Sequence, residues 1–184
     1  MNIFYLDHDV KKCAEMHNDK HCVKMILEYA QLLSTAHRVI DGTIGTGLSP
    51  SGRKKTTYTL SNTLLDGIFY SATHVHHPSA VWVRQSSENY IWLANMLLAL
   101  CEEYTYRYGK THKVERDGLC YALLKNVPNA IADSDFTQPT PAMPDDVKIP
   151  GDSIKSYRNY YINNKTHLAN WKKRTTPEWY IANV

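Results

Sequence analysis

The chain has 184 residues, a length that suits one domain, and 43% of them are hydrophobic, enough to build a core. Charged residues make up 21% with no long block of one kind, which excludes a disordered polyelectrolyte, and the net charge of +3 permits a nucleic-acid partner without demanding one. No apolar run approaches membrane-spanning length, no signal peptide opens the chain, and Cys13, Cys22, Cys101 and Cys120 form no C-x-x-C pair, so a soluble cytoplasmic protein with reduced thiols and no membrane partner is expected.

The opening "MNIFYL" is short, apolar and β-leaning, suited to a brief strand or an extended arm tucked into the core. Asp7 or Asp9 can cap a first helical turn, "VKKCAEMH". A helix then spans about 19–40, with Val23, Ile26, Leu27, Ala30, Leu33 and Ala36 as its apolar face. "DGTIGTGLSPSGRKK" ends it and reads as a mobile loop over about 41–57, made basic by Arg53, Lys54 and Lys55. The longest periodic segment follows "HVHH". Pro78 fits a first helical turn, Ser86 or Ser87 can restart the helix, and Gly109 is a natural C-terminal stop. "GLCYALLKNVP" is a shorter helix stopped by Pro128, and 129–151, with "DFTQPTPAMPDD", is a long irregular segment. Asp152 caps a last helix, "SIKSYRNYYINNKTHLANWKK", before "TTPEWY". The expected fold is therefore all-α: one compact helical domain over 1–184, with an extended N-terminal arm and long irregular loops. The 17–38 and roughly 79–108 segments are its two longest helices, packed on each other.

Within "HNDKHCVKMILEYAQLLSTAHR" the polar residues also keep helical spacing. His17, His21, Lys24, Glu28 and Gln31 follow at steps of four, three, four and three. A solvated helix face with a Lys24–Glu28 pair gives such a stripe. Solvated faces are usually rich in Lys and Glu, however, and this one mixes imidazole, amine, carboxylate and amide in single file. A reaction site needs that set: a carboxylate to shift protons, an amine beside it, and amides or imidazoles to orient a substrate.

"HVHH" at 74–77 lacks a second Cys/His pair to complete a zinc site, so neither a metal nor another cofactor is expected, and His77–Pro78 reads as a helix start lining a cleft. In "WVRQSSENYIWL", Arg84 is followed by small hydroxyl residues, a grouping that can grip phosphate, or it pairs with Glu88 at i+4; Asn89 lies at the same helix junction. The C-terminal third interleaves bases with rings, including Tyr157, Arg158, Tyr160, Tyr161, Lys165 and Trp171, a composition that suits nucleic acid although half of these rings must serve the core.

Taken in order, several pieces resemble the pyrimidine-dimer DNA glycosylases of the endonuclease V type: a charged first helix with a Glu beyond its His, "HHP" leading into a long helix that ends "EEYTYRYGK", and a late "YRNYYINNK" before "TPEWY". The run "DKHCVKMILE" is similar to one in small proteins of tailed bacteriophages, which implies the cytoplasm of an infected bacterium. The glycosylase resemblance implies a compact helical fold whose N-terminal arm threads among the helices, and an α-amine that attacks the sugar C1′ with help from a first-helix Glu. By position, Glu28 is that carboxylate and His21 its neighbour, while Gln31 stands where the family tends to use a basic group. Asn2 is too large for ready removal of the methionine before it, so the amine is that of Met1, with Lys24 as the other candidate. His17, His21, Gln31, His77, Arg84, Asn89, Arg158 and Lys165 are the expected substrate contacts. The expected activity is base excision with strand cleavage on DNA. The other reading is a cleft that binds a nucleotide or nucleotide-derived signal without turning it over, gripped by Lys24, His21, Arg84 and Arg158.

Overall fold

The computed structural model describes residues 1–183, and the molecule is mainly helical. The N-terminal arm is extended, with Ile3, Phe4, Tyr5 and Leu6 all buried. Asp9 caps helix α1 (Val10–Met16) by accepting from the amides of Lys11 and Lys12, both at 2.9 Å. Asn18 caps α2 (Asp19–Asp41) through the His21 amide at 2.9 Å. The buried face of α2 is Cys22, Met25, Ile26, Tyr29, Ala30, Leu32, Leu33 and Ala36. Val23 and Leu27, expected in that face, are 40% and 42% exposed. The apolar stripe is rotated away from them because Tyr29 and Cys22, one helical face further round, meet the arm and the core.

The expected mobile basic loop is an antiparallel hairpin, β1 (Thr43–Leu48) and β2 (Lys54–Thr59), which corrects the all-α reading. Most residues of both strands are exposed and none is buried. The usual signal, apolar alternating with polar, is therefore missing, and cross-strand pairs of β-branched and aromatic residues, such as Thr46 with Thr56 and Ile44 with Tyr58, hold the ladder. Asn62 caps a short α3 (Thr63–Ile68), and residues 69–77 then run without regular structure.

Pro78 opens α4 (Pro78–Val83) as expected, but the chain breaks at Arg84. Ser86 caps the restart into α5 (Ser87–Tyr108), and Gly109 ends it in the left-handed region, φ 65°. The segment is thus two helices, with α5 packed on α1 and α2. After α6 (Lys113–Arg116) and α7 (Leu119–Lys125) comes the irregular stretch, broken by one short turn at Asp145–Val147. The last long helix, α8 (Ser153–Asn164), stops well short of Lys173, and α9 (Glu178–Ile181) carries the "EWY". Among the described residues, no helix is long and apolar enough to cross a membrane.

Asn89 is fully buried and pins the irregular stretch. Its carbonyl accepts from the Thr137 amide at 2.8 Å, and its amide donates to the Trp82 carbonyl at 3.1 Å and the Thr137 hydroxyl at 3.0 Å. Asn89→Ala is expected to cost about 2 kcal/mol, because the fully buried amide gives up three hydrogen bonds and the Thr137 amide loses its partner. Urea unfolding and faster proteolysis within 129–151 measure it; unchanged stability would make Asn89 a substrate contact again.

Candidate active site

The arm fixes the position of the amine. The Phe4 amide donates to the Tyr29 hydroxyl at 3.2 Å, and the Phe4 ring stacks on His21 with centroids 4.0 Å apart. From α8, Tyr157 and Tyr161 pack edge-on against the same ring, and Arg158 donates to the Leu6 carbonyl at 3.0 Å. Held between α2 and α8, the arm brings the Met1 nitrogen 3.6 Å from Glu28 Oε2. The Met1 side chain is 5% exposed and Glu28 13%. The other carboxylate oxygen, Oε1, meets Lys24 Nζ at 3.1 Å, with the lysine side chain 65% exposed. One carboxylate thus holds two amines, an anchored one from the arm and a solvated one from its own helix.

Residues 69–77 form a strap along the continuation of the same stripe. Arg38 donates to the carbonyls of Phe69 and Tyr70, at 2.8 and 2.6 Å, and the Thr35 hydroxyl contacts both the amide and the carbonyl of Thr73. His74 then adopts a left-handed φ of 48°, unusual for a residue with a Cβ, and its carbonyl accepts from the His77 amide at 2.8 Å. This turn sets His77 as the N-cap of α4: its Nδ1 accepts from the Ser79 amide at 3.1 Å, so a neutral ring carries its proton on Nε2. Burial first, and then the positive Met1 amine, lower the His77 pKa, while Glu28 opposes them. His77 therefore belongs to the same electrostatic neighbourhood as the amine and the carboxylate.

The remaining residues of the expected set are spread more widely. Gln31 is half-buried one turn beyond Glu28. Lys165 lies over the Tyr160 ring at 4.7 Å, and with Lys24 it lowers the His21 pKa, which places both lysines near the start of α2. His21 is buried, with Nδ1 2.6 Å from the Tyr161 hydroxyl, and burial above all pushes its pKa down to about 2. His17 is fully buried, its Nδ1 2.7 Å from the Cys13 carbonyl and its Nε2 2.9 Å from the Tyr29 hydroxyl. Arg158 lies over Trp179 and braces the arm, Arg84 turns back onto the Ala80 carbonyl at 2.9 Å near Tyr58, and Asn89 pins the irregular stretch. The structure thus brings together Met1, Lys24 and Glu28, with His77 near enough for the Met1 amine and Glu28 to act on its pKa. His17, His21, Asn89 and Arg158 hold the scaffold around them. Sequence reading did not single out Thr35 and Arg38, which hold the strap; their spacing from Glu28 on α2, seven and ten residues, was the available signal. Concavities of about 410 Å³, by Lys12 and Arg174, and 440 Å³, by His8 and Trp92, lie elsewhere. Among the described residues, no group of three or more His, Cys, Asp or Glu could hold a metal ion.

Burial lowers the pKa of His17 and His37 to about 4 from an ordinary 6.5. Below pH 6.5 the unfolded chain therefore binds protons that the folded chain refuses, so stability is complete above that pH and falls as pH drops toward 4. Each ring contributes about 3 kcal/mol to that fall. Urea midpoints measured from pH 7 to pH 4 check it, and His37→Gln should flatten the curve.

The family model for pyrimidine dimer DNA glycosylases matches residues 1–116, which include Met1, Lys24, Glu28 and His77 but neither Arg158 nor Lys165. The chain belongs to this family, and DNA is the partner the family implies. No curated protein and no solved structure matches the chain.

Proposed function

We propose that the protein excises a base from damaged DNA and then cleaves the strand, with the Met1 α-amine as nucleophile and Glu28 as the acid–base group. The observation that carries this reading is the 3.6 Å contact between the Met1 nitrogen and Glu28 within the family-matched segment. An amine attacks only as the free base, and Glu28 is within reach of its proton. In the proposed reaction the nitrogen lone pair forms a bond to C1′. The glycosidic bond breaks, and the base leaves with the bonding electrons and takes up a proton. The sugar ring opens to an imine. Glu28 then removes a C2′ proton, and elimination breaks the C3′–O bond.

Met1 is favoured over Lys24 because it is anchored. A nucleophile held in place avoids the entropy cost that an exposed four-carbon chain pays at each turnover. In this reading Lys24 holds the second Glu28 oxygen, and with Lys165 it meets phosphate. Gln31 and the His77 Nε2–H offer hydrogen bonds to the extruded nucleotide. Reduction with borohydride in the presence of DNA containing a pyrimidine dimer tests the proposal: a covalent protein–DNA adduct supports it, and the absence of any adduct refutes it.

A further inference from the structure

The hairpin plays no part in the amine and carboxylate chemistry. Only its root is fixed. Arg38 donates to the Tyr58 carbonyl and to Asp66 Oδ1, both at 2.7 Å, and Asp66 Oδ1 also accepts from the Leu60 amide at 2.9 Å. A Cβ at Gly42 would collide with the Arg38 carbonyl, so the chain leaves α2 at an approach only glycine allows. Beyond the root most of the ribbon is exposed, although residues 55–58 of β2 line a small cavity with Ser71 and Ala72 of the strap. Ile44 is 71% exposed and Leu48 66%, large values for aliphatic side chains. In the strand register Ile44, Thr46 and Leu48 lie opposite Tyr58, Thr56 and Lys54, so these six side chains share one face. Residues 42–60 contain Arg53, Lys54 and Lys55 and no Asp or Glu.

The root is also tied to the candidate site through α2. Arg38 lies ten residues along α2 from Glu28, about 15 Å of helix. A wholly cationic ribbon with an apolar and hydroxyl face, rooted this near a site for one nucleotide, complements a duplex. We infer that the hairpin lies in the major groove of the double-stranded DNA flanking the damaged nucleotide, with Arg53, Lys54 and Lys55 on phosphates and Ile44 and Leu48 against base edges. The major groove, about 12 Å wide, admits a two-stranded ribbon. The inference rests on the DNA-acting reading above and adds what the amine site alone does not supply, a preference for duplex over single strand.

The experiment measures equilibrium binding to a duplex of about 30 base pairs carrying one pyrimidine dimer, and to the same strand unpaired, across a range of salt. Two variants are compared with the unaltered chain: Arg53→Gln/Lys54→Gln/Lys55→Gln and Ile44→Ser/Leu48→Ser. The charge variant should bind duplex roughly ten- to a hundredfold more weakly, and its salt slope should drop by about two to three units, near 0.9 for each phosphate no longer neutralised. The apolar variant should bind duplex roughly fivefold or more weakly with its salt slope unchanged, since it leaves every phosphate partner in place. Single-strand binding and the unfolding midpoint should stay as they were, because the five substituted side chains are exposed and make no hydrogen bond or ion pair within the fold. Unchanged duplex affinity, an equal loss on both substrates, or self-association of the chain that both variants abolish would overturn the inference, the last in favour of pairing between two copies. The readout is binding, so a missing borohydride adduct would sink the proposed chemistry without deciding this question.

Discussion

Borohydride reduction during reaction with dimer-containing DNA is expected to trap the Met1 α-amine on the sugar, and Glu28→Gln is expected to lower turnover on the order of a hundredfold or more while binding persists. The amide keeps the size of the carboxylate and loses its ability to take a proton. Two further variants separate the two amines that Glu28 touches. An extra residue placed before Met1 moves the free amine away from the carboxylate and should remove the adduct. Lys24→Ala leaves the anchored amine in place, so the adduct should still form, with binding weakened by the loss of one cation near the DNA backbone. An adduct peptide mapping to Lys24 would transfer the nucleophile to that residue. If Glu28→Gln retained full activity, the salt bridges at 3.6 and 3.1 Å would be structural only.

The part of this site that could be read from the sequence is the part built on one helix. Lys24, Glu28 and Gln31 keep their spacing on α2, and a helix face is fixed by local periodicity. Met1 was legible only through the family resemblance, since nothing in "MNIFYL" says where an extended arm ends; the burial of Ile3 to Leu6 decides that. His17 and His21 keep the same spacing as Glu28 and point elsewhere in function. Both are buried and hydrogen-bonded to tyrosines, one of them on α8 more than a hundred residues away. Periodicity names the face a residue occupies and cannot name the partner that covers it. The hairpin was missed for a related reason. A strand is recognised by alternation between a wet and a buried side, and a ribbon with no buried residue on either side shows none. The strap depends on Arg38, whose guanidinium reaches carbonyls at 58, 66, 69 and 70, partners that no local pattern encodes.

Arg107→Met is expected to destabilise the fold more than any other substitution proposed above, at about 3–5 kcal/mol. Arg107 is the arginine of "EEYTYRYGK", and its side chain is fully buried at the end of α5. Its Nε donates to Glu103 Oε1 at 2.6 Å, its Nη1 to the His17 carbonyl at 2.9 Å and Asp19 Oδ1 at 3.0 Å, and its Nη2 to the Glu15 carbonyl at 2.9 Å. One guanidinium thus joins the end of α1, the start of α2 and the last turns of α5. Burial alone would raise the Glu103 pKa, but hydrogen bonds from Arg174 and Arg107 outweigh it and hold the carboxylate below its usual range. Removing Arg107 leaves the buried His17 carbonyl and the part-buried Glu15 carbonyl without this donor, and Glu103 with only the partly exposed Arg174. Arg174→Met should cost far less, since Arg107 still satisfies the carboxylate. Arg107→Met/Glu103→Leu should recover part of the stability, because an apolar pair replaces a buried charge that lacks its only fully buried partner. Urea unfolding of the three variants provides the comparison. If the double variant were no more stable than Arg107→Met alone, the cost would lie in the carbonyls left without donors, which set the start of α2 and therefore the position of Glu28, rather than in the stranded charge.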